Sequence, residues 1–151
     1  MNFYKNISSF SFIFLTFIVG IIIITNACKT SRICNNSACH PVIKDPLLYD
    51  STGSTFELHR VWIEQQCLKA DVSYSGGCGT ATFALVWNGS MMKSLPPQIP
   101  MKIIFDDQDN CRSIIHKTLC FPLHDIYEST FVILLHGYEH PLSVEKNEKK
   151  Q

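Results

Sequence analysis

From residue 56 onward, apolar and polar side chains alternate. Leu68, Ala70, Val72 and Tyr74 take turns with Lys69, Asp71 and Ser73, the pattern of a strand with one buried face. Ala81, Phe83, Leu85 and Trp87 alternate in the same way with Thr80 and Thr82, and Gly76-Gly77-Cys78-Gly79 between the two runs reads as a turn. Further strands are predicted over Met101–Phe105, Arg112–Phe121 and Thr130–Tyr138, with an earlier one over Phe56–Gln66. In that earlier strand the alternation slips near Arg60, from Phe56 and Leu58 to Val61 and Ile63, which predicts a β-bulge. Phe131–Leu135 is apolar on both faces, as a central strand would be, and Leu142 and Val144 suggest a last short strand. No segment carries a helical stripe of about ten residues or more. Six to seven strands at this spacing predict an all-β fold, an antiparallel immunoglobulin-like sandwich over residues 56–144, with a small barrel as the alternative.

The pattern before residue 56 is different. Lys5 precedes a charge-free apolar run from Ile7 to Ala27, dense in Phe and Ile, which ends on Cys28. This is the layout of an export signal, 1–27, stopping at a lipid-attachment cysteine, Cys28. The small Ala27 suits cleavage, although the Leu usual three positions before a lipidated cysteine is absent. The run is also long enough to span a bilayer, which takes about 20 apolar residues. Lys29 and Arg32 beyond it balance Lys5 before it, so charge marks no cytoplasmic flank. A lipoprotein leader, a simple signal peptide and an uncleaved anchor all put the rest of the chain outside the cytoplasm. The expected location is a bacterial cell envelope, facing the periplasm or the exterior, with the membrane as a partner through the N-terminal lipid. Residues 28–55, polar and interrupted by Pro41 and Pro46, read as a tether, and 145–151 as a frayed, mixed-charge tail.

Composition narrows the function. Thirteen basic and thirteen acidic residues leave no net charge and no basic patch, which argues against nucleic acid. No serine lies in a nucleophile-elbow context, no glycine-rich phosphate loop precedes a helix, and no Cys-x2-Cys redox motif occurs. The expectation is a protein that is not an enzyme and needs no cofactor.

Seven cysteines are many for a chain of 151 residues and fit a compartment where disulfides persist. Assigning Cys28 to lipid leaves an even remainder. Strand order narrows the pairing, because successive strands joined by short connections run in opposite directions. Cys78 and Cys111 then lie in connections at one end, and Cys67 and Cys120 at the other. The predicted bridges are Cys78–Cys111, Cys67–Cys120 and, by default, Cys34–Cys39.

Tyr74-Ser75-Gly76-Gly77-Cys78, Thr82-Phe83-Ala84-Leu85-Val86-Trp87-Asn88-Gly89, Ser94-Leu95-Pro96-Pro97-Gln98, Asp109-Asn110-Cys111-Arg112 and Phe121-Pro122-Leu123 form a spaced pattern. It resembles a group of small uncharacterised bacterial envelope lipoproteins over about residues 56–140. The resemblance implies the fold and the location, and no activity. Relatives often place a histidine three positions after the GGC cysteine and another in the strand before the Asp-rich loop; here those positions hold Ala81 and Phe105.

Three constellations carry candidate chemistry. Cys34 and Cys39 followed by His40 look like a rarer form of the covalent haem-attachment motif, against the simpler reading of a small disulfide loop beside a chance histidine. Asp106, Asp107 and Asp109 could gather calcium, but the segment lacks the glycine and distal glutamate of the helix-loop-helix site and also reads as a solvated hairpin loop. Among the histidines His116, His124, His136 and His140, the last two flank Glu139 as a conceivable zinc or copper set, with isolated surface histidines as the plainer reading. The expected function is a lipid-anchored envelope protein, a non-enzymatic binding or structural module for an unknown protein or small-molecule ligand. A metal- or haem-binding envelope protein is the alternative.

Overall fold

A computed structural model describes residues 39–126 and 129–145. They form eight strands and one short helix: β1 (Val42–Lys44), α1 (Pro46–Asp50), β2 (Glu57–Glu64), β3 (Cys67–Gly76), β4 (Thr80–Trp87), β5 (Gln98–Gln108), β6 (Ser113–Pro122), β7 (Phe131–Leu135) and β8 (Leu142–Val144). Two sheets pack as the expected sandwich, one in the order β1-β4-β5-β7-β8 and the other β2-β3-β6. Among the described residues no helix is long and apolar enough to cross a membrane. Residues 1–38, with Cys28 and Cys34, and residues 146–151 lie outside the described residues, so the expected export signal and lipid site fall there.

The alternating side chains meet between the sheets. Leu68, Ala70 and Val72 of β3 face Phe83 and Leu85 of β4 and Met101, Ile103 and Phe105 of β5 across one buried cluster. Its densest part is aromatic: Phe83 stacks on Phe105 at 4.4 Å, with Tyr74 at 5.0 Å and Phe56 at 6.1 Å from Phe105. β7 lies between β5 and β8, and its Phe131, Ile133 and Leu135 are buried, as its apolar run requires.

The expected bulge is present, as a register shift between Leu58 and Arg60 where β2 pairs with β3. The β2–β3 hairpin closes on Gln65 and Gln66 with φ of 51° and 61°, the left-handed pair that matches strand twist in a two-residue turn.

The sandwich departs from the expectation in three places. First, β1 with β4 and β5 with β7 pair in parallel, so the larger sheet is mixed. Second, part of the expected tether is folded. Val42–Lys44 adds to the edge of β4, and Asp45 caps α1 by accepting from the N–H groups of Leu47 at 2.8 Å and Leu48 at 3.0 Å. Pro46 starts this helix rather than blocking it, because the first helical position needs no N–H donor. Third, β5 runs through Pro100, which pairs with Leu134 of β7. The β4 ladder on β5 reaches only Lys102, so at Pro100 the strand has a neighbour on one side and the missing N–H is tolerated.

Candidate binding face

The smaller sheet turns one side to the core and one to solvent. On β3 the even-numbered Leu68, Ala70 and Val72 are buried, so Lys69, Asp71, Ser73 and Ser75 point outward. The register sets these beside partners from both neighbouring strands in rows: Glu57, Ser73 and His116; Arg60, Asp71 and Thr118; Trp62, Lys69 and Cys120.

Each row is fixed by its own contacts. The Ser73 hydroxyl donates to Glu57 Oε2 at 3.2 Å, and His59 Nε2 lies 2.8 Å from the same hydroxyl oxygen. Because the hydroxyl proton is directed at Glu57, Nε2 must carry its own proton and donate to Ser73. The serine thus stands between imidazole and carboxylate. A nucleophilic triad needs the imidazole in the middle as the base, so this order does not activate Ser73. The bulge places His59 outside the regular register and lets it lean over Ser73 toward His116, with ring centroids 6.2 Å apart. Ser73 is the buried polar residue beneath them, only 5% exposed.

In the next rows, Thr118 donates to Asp71 at 2.7 Å, and the Arg60 guanidinium lies 4.8 Å over the Trp62 ring. Lys69 and Glu64 form an ion pair at 2.6 Å, which holds the Glu64 carboxyl below its usual range and the Lys69 ammonium above. A shallow depression lined by Phe56, Glu57, Ser73, Tyr74, Ser75 and Ile114 continues the surface, and the Ile114 side chain is 74% exposed.

The turn at one end of the sandwich is built differently. Cys78 and Cys111 are bridged, with α-carbons 5.9 Å apart, as the strand directions predicted. Asp109 accepts from the backbone N–H groups of Gly77 at 2.6 Å, Cys78 at 2.9 Å and Cys111 at 2.8 Å. These donors, with that of Gly79, stabilise the carboxylate and hold its pKa down at about 2. A β-carbon at Gly79 would meet Gln108 O at 2.7 Å, so glycine is required for this approach. The calcium reading of Asp106, Asp107 and Asp109 is corrected here. Asp106 and Asp107 are successive residues of β5 opposite Thr82 and Ala81, so their side chains leave on opposite faces, while Asp109 is spent on the turn.

The other sequence candidates separate as follows. Cys67 is disulfide-bonded, but not to Cys120, whose thiol still titrates. Cys67 is opposite Pro122, whereas Cys120 is opposite Lys69. The two cysteines are therefore diagonal neighbours, roughly 7–8 Å apart, at or beyond the usual reach of a bridge. Cys120 instead has Cys39 beside it, and burial together with that neighbouring thiol pushes the Cys120 thiol up to about 12. The default pairing of Cys39 with Cys34 falls on Cys34, which lies outside the described residues.

The His40 ring rests against Phe83 at 5.9 Å and Phe121 at 5.7 Å. Burial, with Lys117 nearby, holds its pKa below the ordinary histidine value. The His40 ring is thus used in packing, which gives no support to the haem-attachment reading, and the Cys34 of that motif lies outside the described residues.

His136, Glu139 and His140 do line one depression, with Tyr49 and Tyr138. Their ligand atoms do not converge. Among the described residues, three such atoms gather within 4.8 Å at Cys78, Asp109 and Cys111, where both sulfurs are already in the bridge. His124 pairs with Asp125 at 3.0 Å. Glu57, His59, Arg60, Trp62 and Ser73 were not among the sequence candidates. The polar positions of β3 and the slip near Arg60 were the available signals.

No protein-family model and no curated protein matches the chain. Among solved structures, it is similar to a NigD-like immunity protein from Bacteroides caccae ATCC 43185, at TM-score 0.50 and 16% identity over 66% of this chain and 52% of that one. It is also similar to a protein of unknown function, DUF1344, from Bacteroides vulgatus ATCC 8482, at TM-score 0.50 and 12% identity over 74% of this chain and 58% of that one. The chain spans less than two thirds of either structure. At such identities the likeness shows the fold alone.

Proposed function

We propose that this chain is a membrane-tethered, non-enzymatic binding module of a bacterial cell envelope, and that the outward face of β2, β3 and β6 engages a protein partner. The observation that carries the reading is the row of fixed side chains on that face, from Glu57, Ser73 and His59 to Arg60 over Trp62. Side chains already held in place lose little freedom on binding, and Arg and Trp are the types that most often dominate the energy of protein interfaces. Support for the envelope comes from the apolar leader ending at Cys28 and from the abundant cysteines. The description of the similar Bacteroides caccae structure as an immunity protein does not by itself transfer a role, since one sandwich fold hosts many. The partner is expected to be recognised by this face.

The test is in-cell photo-crosslinking from a reactive residue placed at Thr118, with Thr82 on the opposite sheet as control. The expected result is one adduct from Thr118, absent from Thr82, whose partner, once purified, binds at least tenfold more weakly to Arg60→Ala and Trp62→Ala. Adducts from Thr82 alone, or unchanged binding by both variants, would overturn the proposal. Fractionation of the Cys28→Ala variant tests the tether, with release from the membrane fraction expected.

A further inference from the structure

We infer that Cys39 and Cys120 form a disulfide that fastens the segment 39–44 to the edge of the sandwich. The inference rests on the extracytoplasmic reading above for the oxidant, and on geometry for the pair. β6 is the last strand of its sheet, so one of its edges is open, and Cys120 lies on it. The residue after Cys39 is locked there: the His40 N–H donates to the Cys120 carbonyl at 2.7 Å, and the His40 ring packs on Phe83 and Phe121. One residue further, the Pro41 carbonyl accepts from the Leu85 N–H at 3.0 Å, and Val42–Lys44 then pair with β4. The segment therefore straps the edge of one sheet to the edge of the other, and both cysteines sit at the point where the strap begins. The backbone bond from His40 to Cys120 sets Cys39 directly beside Cys120.

The step is a thiol–disulfide exchange with a protein or small-molecule disulfide as oxidant. One thiolate attacks the oxidant and forms a mixed disulfide, releasing one thiol of the oxidant. The second cysteine, deprotonated, attacks the sulfur of the first and expels the other. Two S–H bonds break, one S–S bond forms, and two electrons and two protons leave with the reduced oxidant.

The test maps disulfides in the full-length protein, alkylated at acid quench without reductant, from two preparations. One is extracted from the cell envelope and the other is refolded in detergent with a glutathione redox buffer. A linked Cys39–Cys120 peptide is expected in both, beside linked Cys78–Cys111. In the Cys120→Ser variant, Cys39 becomes alkylatable while Cys78–Cys111 stays bridged. A Cys39–Cys120 peptide from the refolded protein alone supports the pairing and overturns the compartment. Cys39 or Cys120 alkylated, or joined to another cysteine, in the refolded protein overturns the pairing.

Discussion

Replacing Cys78 and Cys111 together by serine removes the bridge and leaves small polar residues in both connections. Asp109 still ties the two connections through backbone N–H groups, so the native state is expected to keep its shape. The effect then falls on the unfolded chain, whose freedom rises when the crosslink goes. For a sequence separation of 33, loop-closure entropy puts the loss of stability at about 3.7 kcal/mol at 25 °C. That exceeds the roughly 1 kcal/mol of a typical hydrogen bond, so it dominates any small readjustment of the turn. For a domain of this size it lowers Tm on the order of 15 °C. Urea unfolding followed by the fluorescence of Trp62 and Trp87 measures it directly. Without the crosslink the unfolded chain exposes more surface, so the urea dependence steepens as the midpoint falls. A loss below about 1 kcal/mol would refute the reasoning, because the denatured chain would then gain little freedom from the lost link.

Three further outcomes are expected. Phe105→Ala empties the centre of the aromatic cluster, where the ring is 1% exposed and stacked on Phe83, and should cost about 3–5 kcal/mol in the same urea assay. The Asp109 carboxyl is held down at about 2 against 3.8 ordinarily, so its contribution is present above about pH 4 and lost as pH falls toward 2. In Asp109→Asn, acid titration of stability should lose that part of its slope. His40 has the opposite charge logic but the same direction in pH. Its neutral form is favoured in the folded state, so the unfolded state takes up the proton first as pH falls below about 6.5. Stability should decline over that range, and His40→Phe, which keeps a ring beside Phe83 and Phe121, should flatten the decline; an unchanged profile would show that His40 does not titrate with folding.

The alternation of Leu68–Tyr74 and Ala81–Trp87 was enough to find β3 and β4, because each strand has one face toward the core and one toward water. The same logic caught the bulge at Arg60, whereas β7, apolar on both faces in sequence, is buried on one face and half-buried on the other. Direction along successive strands was enough to pair Cys78 with Cys111. It failed for Cys67 and Cys120, because knowing which end of a strand a cysteine occupies does not settle the register, and a two-residue offset between partners carries the sulfurs apart.

The candidate face shows the same division. Periodicity marks Lys69, Asp71 and Ser73 as outward, and that is a local property of one strand. That Glu57 and His116 flank Ser73, that His59 leans across it, and that Arg60 lies over Trp62 depend on which strands become neighbours. The strand positions and the turn at Gly76–Gly79 were thus determined by the chain read alone, since each follows from the chemistry of adjacent residues. The mixed sheet, the strap at residues 39–44, the approach of Cys39 to Cys120 and the side-chain rows of the candidate face were decided only by tertiary structure. Those features join residues far apart in the chain, and side-chain period says which way a residue points without saying what it will meet.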